Sequence, residues 1–108
     1  MLNKLEHFRA LVEAQTKARY TAEWERDRKY YDLAVHAGSW VCKVKIGRKY
    51  ANVDVGKSGK YMVELSTGNI YGIKGYGVIH RGHSYGNLDT THEYFWGEYT
   101  AHKLTQAA

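Results

Sequence analysis

The hydrophobic pattern of the chain changes its period at Gly38, and this change limits the folds that the chain can adopt. Before Gly38, apolar residues recur every three to four positions, as they do along one face of a helix. From Ser39 onward, apolar and polar residues alternate, as they do in half-buried strands. Helix followed by a run of strands is typical of an α+β domain in which helix covers one face of an antiparallel sheet.

The helical part spans residues 2–37, and Gly38 is a suitable residue for its C-terminal end. A single helix of this length would measure about 54 Å, longer than a domain of this size is wide. Two helices separated near Tyr20–Thr21 are more compact, because Thr21 can cap the second one. One long helix that protrudes toward a partner stays the alternative.

The β-rich part spans residues 38–108 and reads as four to six short strands. Turn signals at Gly47–Arg48 and 56–59 separate the first strands, and Ser66–Gly68 joins the hairpin strands 61–65 and 69–73. A further strand pair is expected between residues 76–80 and 94–100. We therefore predict a small curved antiparallel sheet or partly open barrel. The residues expected in its core are Trp40, Val44, Val53, Val63, Ile70 and Ile73.

With 108 residues, the chain is expected to form a single domain, residues 1–108. Cys42 is its only cysteine, which excludes an intrachain disulfide and fits a reducing cytoplasm. No apolar run approaches the ~20 residues of a membrane-spanning helix, so no membrane partner is expected. No cofactor is expected either.

Six glycines fall between Gly68 and Gly86, interleaved with aromatic and basic side chains. Glycine at this density indicates a tightly turned β-rich surface or a binding loop, because it tolerates positive φ and close approach of the backbone. We expect Gly75 and Gly77 to resist substitution by valine.

Positive charge is concentrated in residues 43–60, which hold six basic residues and only one acid, Asp54. Such an excess attracts phosphates or acidic protein surfaces, although a solvated lysine face explains it as well. Tyrosines of the β-rich part could stack on bases, although strands favour tyrosine in any case. The candidate binding residues are Lys43, Lys45, Arg48, Lys49, Lys57, Lys60, Lys74, Arg81, Tyr71, Tyr76, Tyr85, His80 and His83.

Two chemical alternatives centre on His80 and His83. Their spacing could place two imidazoles near one metal, with His92 or Asp89 completing the set, but it lacks the specificity of a known metal motif. With Arg81 and Tyr85 they could also serve as the acid, base and cation of a metal-independent ribonuclease. Surface or packing roles explain such histidines equally well, so no catalytic or metal residue is assigned.

The segment from Lys60 to Gly77 (KYMVELSTGNIYGIKGYG), together with Tyr85-Gly-Asn-Leu-Asp-Thr, resembles small uncharacterised proteins of bacteriophages and related mobile elements. The resemblance covers roughly residues 60–90. It implies expression in the cytoplasm of a bacterial host and brings no catalytic residues with it.

The sequence thus predicts a non-enzymatic protein that binds nucleic acid, RNA or single-stranded DNA, through a basic, Tyr/Gly-rich β surface. The alternative is a phage-encoded inhibitor that uses the same surface to bind a host protein such as a defence nuclease. The ribonuclease is the second alternative.

Overall fold

A computed structural model describes residues 2–26, 39–56, 58–97 and 101–104, apart from the side chains of Trp24 and His102. It confirms the predicted α+β class, with one helix, α1 (Leu2–Arg26), ahead of a five-stranded antiparallel sheet. The strands of this sheet are β1 (Cys42–Ile46), β2 (Tyr50–Val55), β3 (Ser58–Glu64), β4 (Asn69–Gly75) and β5 (Val78–Asn87).

Each strand of the sheet pairs with its neighbours in sequence, in the order β1-β2-β3-β4-β5. Within the described ranges the sheet does not close into a barrel, and β1 and β5 form its edges. A 3-10 helix, Thr91–Glu93, then leads to a small ribbon in which β6 (Tyr94–Phe95) pairs with β7 (His102–Lys103). No helix among the described residues is long and apolar enough to cross a membrane.

Helix α1 runs without interruption through Tyr20 and Thr21, so of the two alternatives the continuous helix is the one present at this point. An ion pair between Arg19 and Glu23, one helical turn apart, spans the expected break and favours continuous helix. Residues 27–37 of the predicted helical part lie outside the described residues.

The core lies between α1 and one face of the sheet. Leu5, Phe8 and Val12, spaced by three and four residues, form the buried stripe of α1. The Phe8 ring packs edge-on against Trp96, with ring centroids 4.7 Å apart, and lies 5.8 Å from Tyr61. The backbone N–H of Trp96 donates a 2.7 Å hydrogen bond to Gln15 Oε1. The segment after the sheet is thus anchored on the helix.

Three of the six residues predicted for the core are fully buried, and they are Val53, Val63 and Ile70. The other three are only half-buried. Val44 lies on the edge strand β1, and Ile73 lies on the face of the sheet that α1 does not cover. Trp40 precedes β1, and its ring packs against Tyr20 with centroids 5.7 Å apart.

The glycine-rich segment forms the β4–β5 hairpin, with Tyr76 and Gly77 as its turn. The predicted pairing of residues 76–80 with residues 94–100 is therefore wrong. Strand β5 pairs with β4, and the short β6 pairs with β7. Residues 98–100 lie outside the described part of the chain. Gly77, the second turn residue, has φ +76°, a conformation that glycine adopts without strain.

Candidate nucleic-acid interface

The sheet has two faces of different character. Ala51 and Val53 of β2 are buried toward α1, so Tyr50, Asn52 and Asp54 point to the opposite side. We call this side the outer face, and no described element packs across it as α1 packs across the other. Cross-strand pairing extends it from β1 to β5. Side chains on the outer face include Lys43, Lys45, Tyr50, Asn52, Asp54, Met62, Glu64, Tyr71, Ile73, Tyr76 and Arg81.

Arg81 joins two tyrosines at one end of the outer face. Its guanidinium carbon lies 5.8 Å from the centroid of the Tyr50 ring and 5.4 Å from that of Tyr71. The guanidinium also donates a hydrogen bond to the Tyr50 hydroxyl and lies 3.6 Å from Glu64 Oε2. The Arg81 side chain is nevertheless 57% exposed. This cluster offers flat aromatic and guanidinium surfaces, which are the groups on which unpaired bases stack.

A second cluster forms around Tyr76 at the other end of β2. The Tyr76 hydroxyl donates a 3.0 Å hydrogen bond to Asp54 Oδ2, and Lys45 Nζ lies 5.5 Å from the ring centroid. The ring passes over Gly59, where a Cβ atom would lie 2.8 Å from Tyr76 Cδ2. Glycine at this position therefore makes room for the ring.

The two clusters are joined by a less charged strip. Met62 and Asn52 face each other across β2 and β3, and Met62 is buried although it does not belong to the core cluster. Asp54 lies four residues from Tyr50 along β2, a distance of about 13 Å at the rise of a strand. The outer face can therefore present two aromatic sites along one extended ligand.

The described basic residues of the predicted surface lie on both sides of the sheet. Lys43, Lys45 and Arg81 lie on the outer face with Tyr71 and Tyr76. Lys60 falls in the register shift between β2 and β3, and its Nζ lies 5.5 Å from the ring of the core residue Tyr61. Arg48 and Lys49 are exposed in the β1–β2 turn, and Lys74 is exposed near the end of β4. Lys57 lies outside the described residues.

Tyr85 packs at the margin of the core instead of on the outer face. Its ring lies edge-on to Tyr61, with centroids 5.7 Å apart, and to Trp96, with centroids 6.3 Å apart. Burial raises the pKa of the Tyr85 hydroxyl. The structure thus gives Tyr85 a packing position, which leaves Tyr71 and Tyr76 as the outer-face members of the three predicted stacking residues.

His80 and His83 stack on each other, with ring centroids 4.0 Å apart and planes 12° apart. The stack arises from a bulge, because His80 pairs with Gly72 and Ser84 pairs with Tyr71, so three residues of β5 have no counterpart on β4. Gly72 lacks the Cβ atom that would lie 3.1 Å from His83 Cβ. Arg81, inside the same bulge, contacts Tyr50 on the outer face.

The groups that the ribonuclease hypothesis combines each have a packing or hydrogen-bond partner in the structure. The imidazoles are stacked, Arg81 interacts with Tyr50 and Tyr71, and Tyr85 joins the core margin. Nor do the residues described by the structure include three His, Cys, Asp or Glu side chains placed to hold a metal. Asp89, a proposed ligand, forms a 2.7 Å ion pair with Lys4.

Among the outer-face residues that the sequence-based selection missed, Tyr50, Asp54 and Glu64 contact Arg81 or Tyr76. The sequence could have placed Tyr50 and Asp54 on the outer face, because both alternate with the apolar residues Ala51, Val53 and Val55. Glu64 gave no comparable signal, since its role depends on the bulge that brings Arg81 over β3.

Comparisons of this chain with protein-family models, with curated proteins and with solved structures found no match. The resemblance to small phage and mobile-element proteins, and the bacterial cytoplasm that it implies, therefore stay predictions.

Proposed function

We propose that the chain binds single-stranded nucleic acid through the outer face of its sheet, without catalysing a reaction. The observation that carries this proposal is the Tyr50–Arg81–Tyr71 cluster on a sheet face that no described element covers. Bases stack on aromatic rings and on guanidinium planes, and each such stack contributes about 1–3 kcal/mol to binding.

Positive charge on the outer face supports the proposal, but fewer cations lie there than the sequence predicts. The outer face holds three cations, Lys43, Lys45 and Arg81, beside two carboxylates, Asp54 and Glu64. Phosphate contacts by three cations would give a log–log salt slope of about −2 for a single strand. Binding should therefore depend on stacking at least as much as on charge.

The preference for single strands follows from the position of the rings. Tyr71 and Tyr76 are carried by a sheet and its hairpin turn, and they can reach base planes only where the bases are unpaired. Fluorescence anisotropy should show tighter binding to a uridine oligonucleotide than to an RNA duplex of the same length. Equal affinity for both, or no affinity for either, would contradict the proposal.

A protein partner is the second candidate, and the mixed charge of the outer face favours it. Glu64 beside Arg81 and Asp54 opposite Lys43 give the alternating charges of a protein interface, where tyrosine and arginine are also enriched. Affinity purification from a bacterial lysate, with and without nuclease, separates the two functions. Nucleic acid that is recovered only without nuclease supports the first, and a stoichiometric protein that survives nuclease supports the inhibitor.

A further inference from the structure

Asp54 holds an unused hydrogen-bond acceptor beneath the outer face. The residue is only 8% exposed, and its Oδ2 accepts the Tyr76 hydroxyl. Its other carboxylate oxygen, Oδ1, is buried without a hydrogen-bond partner among the described residues. An unsatisfied buried carboxylate oxygen is costly, so Oδ1 has the capacity to accept a hydrogen bond from a bound donor.

Tyr76 is placed to uncover this carboxylate. The residue is 55% exposed and belongs to a two-residue turn, and Cβ atoms at Gly75 and Gly77 would have nothing within 4 Å. The space beside the turn at Gly75 and Gly77 is therefore open. Its ring is held down by the bond to Asp54, by the contact with Lys45 and by packing over Gly59. Rotation of this side chain would release Oδ2 of Asp54, and both carboxylate oxygens would then lack a donor among the described residues.

The chemistry of an ionised carboxylate selects the ligand. It has two oxygens side by side and can only accept hydrogen bonds. Guanine is the base whose Watson–Crick edge carries two adjacent donors, N1–H and the N2 amino group. Adenine, cytosine and uracil each place an acceptor beside their donor on that edge, and this acceptor would face a carboxylate oxygen. Guanine can therefore donate a hydrogen bond to each carboxylate oxygen. Any other base leaves one of the two oxygens without a donor or facing an acceptor.

We propose that Asp54 is a base-reading residue that selects guanine in a single strand, and that Tyr76 covers it until the base binds. The released Tyr76 ring then stacks on a base, while Lys43, which pairs with Asp54 across β1 and β2, remains as the neighbouring cation. This inference rests on the proposed function, since it names which base the outer face prefers.

The test uses uridine oligoribonucleotides of about nine residues, within the usual site size of such proteins. The central nucleotide is uridine, guanosine or inosine, and inosine differs from guanosine only by the missing N2 amino group. Affinity of the full chain is measured by fluorescence anisotropy at one salt concentration. The guanosine strand should bind about tenfold more tightly than the inosine strand, as expected for a lost bidentate contact.

Two variants connect this preference to the site. Asp54→Asn replaces one acceptor by a donor, so it should abolish the difference in affinity between the guanosine and the inosine strand. Tyr76→Phe keeps the ring and removes the competing hydroxyl, so it should widen that difference. Glu64→Gln, which removes the other outer-face carboxylate, is the matched control and should change all three strands equally.

The outcomes separate the two proposals. Equal affinity of the wild type for guanosine and inosine strands, with clear binding of the all-uridine strand, would overturn the guanine inference alone. Failure to bind any of the strands would overturn the proposed function and the inference with it. The comparison of guanosine with inosine needs no variant, so it holds even if Asp54→Asn fails to fold.

Discussion

The hydroxyl of Tyr76 donates a 3.0 Å hydrogen bond to Oδ2 of Asp54, so the tip of the β4–β5 hairpin is held against β2. Gly59, which pairs with Asp54 on β3, leaves the space in which the Tyr76 ring lies. β2, β3 and the β4–β5 turn thus meet at one end of the outer face, although the two bonded residues are 22 positions apart in the chain.

The close approach of the Tyr76 ring to Gly59 predicts the effect of Gly59→Ala. The new Cβ would lie 2.8 Å from Tyr76 Cδ2 and 3.1 Å from Ile73 Cδ1, so the ring must shift, and this shift weakens its bond to Asp54. We expect the free energy of unfolding to fall by about 1–2 kcal/mol in urea titrations. In a Tyr76→Ala background the same substitution should cost clearly less, and an equal cost in both backgrounds would contradict the account.

Gly75 and Gly77 lie on either side of Tyr76, and we expect them to respond differently to substitution by alanine. Gly77 has φ +76°, so Gly77→Ala should lower the free energy of unfolding by about 1 kcal/mol. Gly75 does not have positive φ, and a Cβ there meets nothing within 4 Å, so Gly75→Ala should stay within about 0.5 kcal/mol of the wild type. The sequence-based expectation treated the two alike. Equal losses of stability in thermal denaturation would contradict the difference that the structure assigns.

The buried thiol of Cys42 predicts a loss of stability at alkaline pH. Burial raises the pKa of Cys42 from 9.0 to about 11. The unfolded chain therefore releases this proton first, and between these values the folded chain binds more protons than the unfolded chain. Stability must then fall as pH rises from about 9 to 11.

The measurement is chemical unfolding at pH 8 and near pH 11. Cys42→Ala should lose less of its stability over this interval than the wild type does. The remaining fall has a second source, because burial also raises the pKa of Tyr61 and acts in the same direction. A wild type and a variant with identical alkaline losses would show that the thiol does not contribute. At neutral pH the thiol should react with disulfide reagents only after denaturation, because the buried group is protonated.

The sheet could be predicted from sequence because only one of its faces is packed against α1, and this leaves an alternation of apolar and polar residues along the strands. Apolar and polar residues alternate along β1 and β2, and Val53, Val63 and Ile70 were correctly assigned to the core. The sequence left one helix or two open, because Thr21 can cap a helix and can also lie within one.

The arrangement of the outer face could be predicted only in part, because irregularities in strand pairing decide it. The register shift between Val53 and Asp54 takes Lys60 out of the alternation, and the β5 bulge turns Arg81 to the outer face while His80 and His83 stack. Bulges of this kind depend on tertiary packing and leave only weak local signals, here Gly72 and Gly82.

The central claim is that the Tyr50–Arg81–Tyr71 cluster binds single-stranded nucleic acid by stacking, and substitution of Arg81 tests it most directly. Arg81→Lys keeps the charge and removes the planar guanidinium, whereas Arg81→Ala removes both. Lys4→Ala, which removes one exposed positive charge on α1, is the control.

The measurement is the dissociation constant for a uridine oligonucleotide, obtained by anisotropy with each variant. The account predicts that Arg81→Lys and Arg81→Ala both weaken binding by about tenfold, corresponding to about 1.4 kcal/mol of stacking, while Lys4→Ala stays within about twofold of the wild type. Binding that Arg81→Lys leaves intact, or that Lys4→Ala weakens as much as Arg81→Ala does, would contradict it.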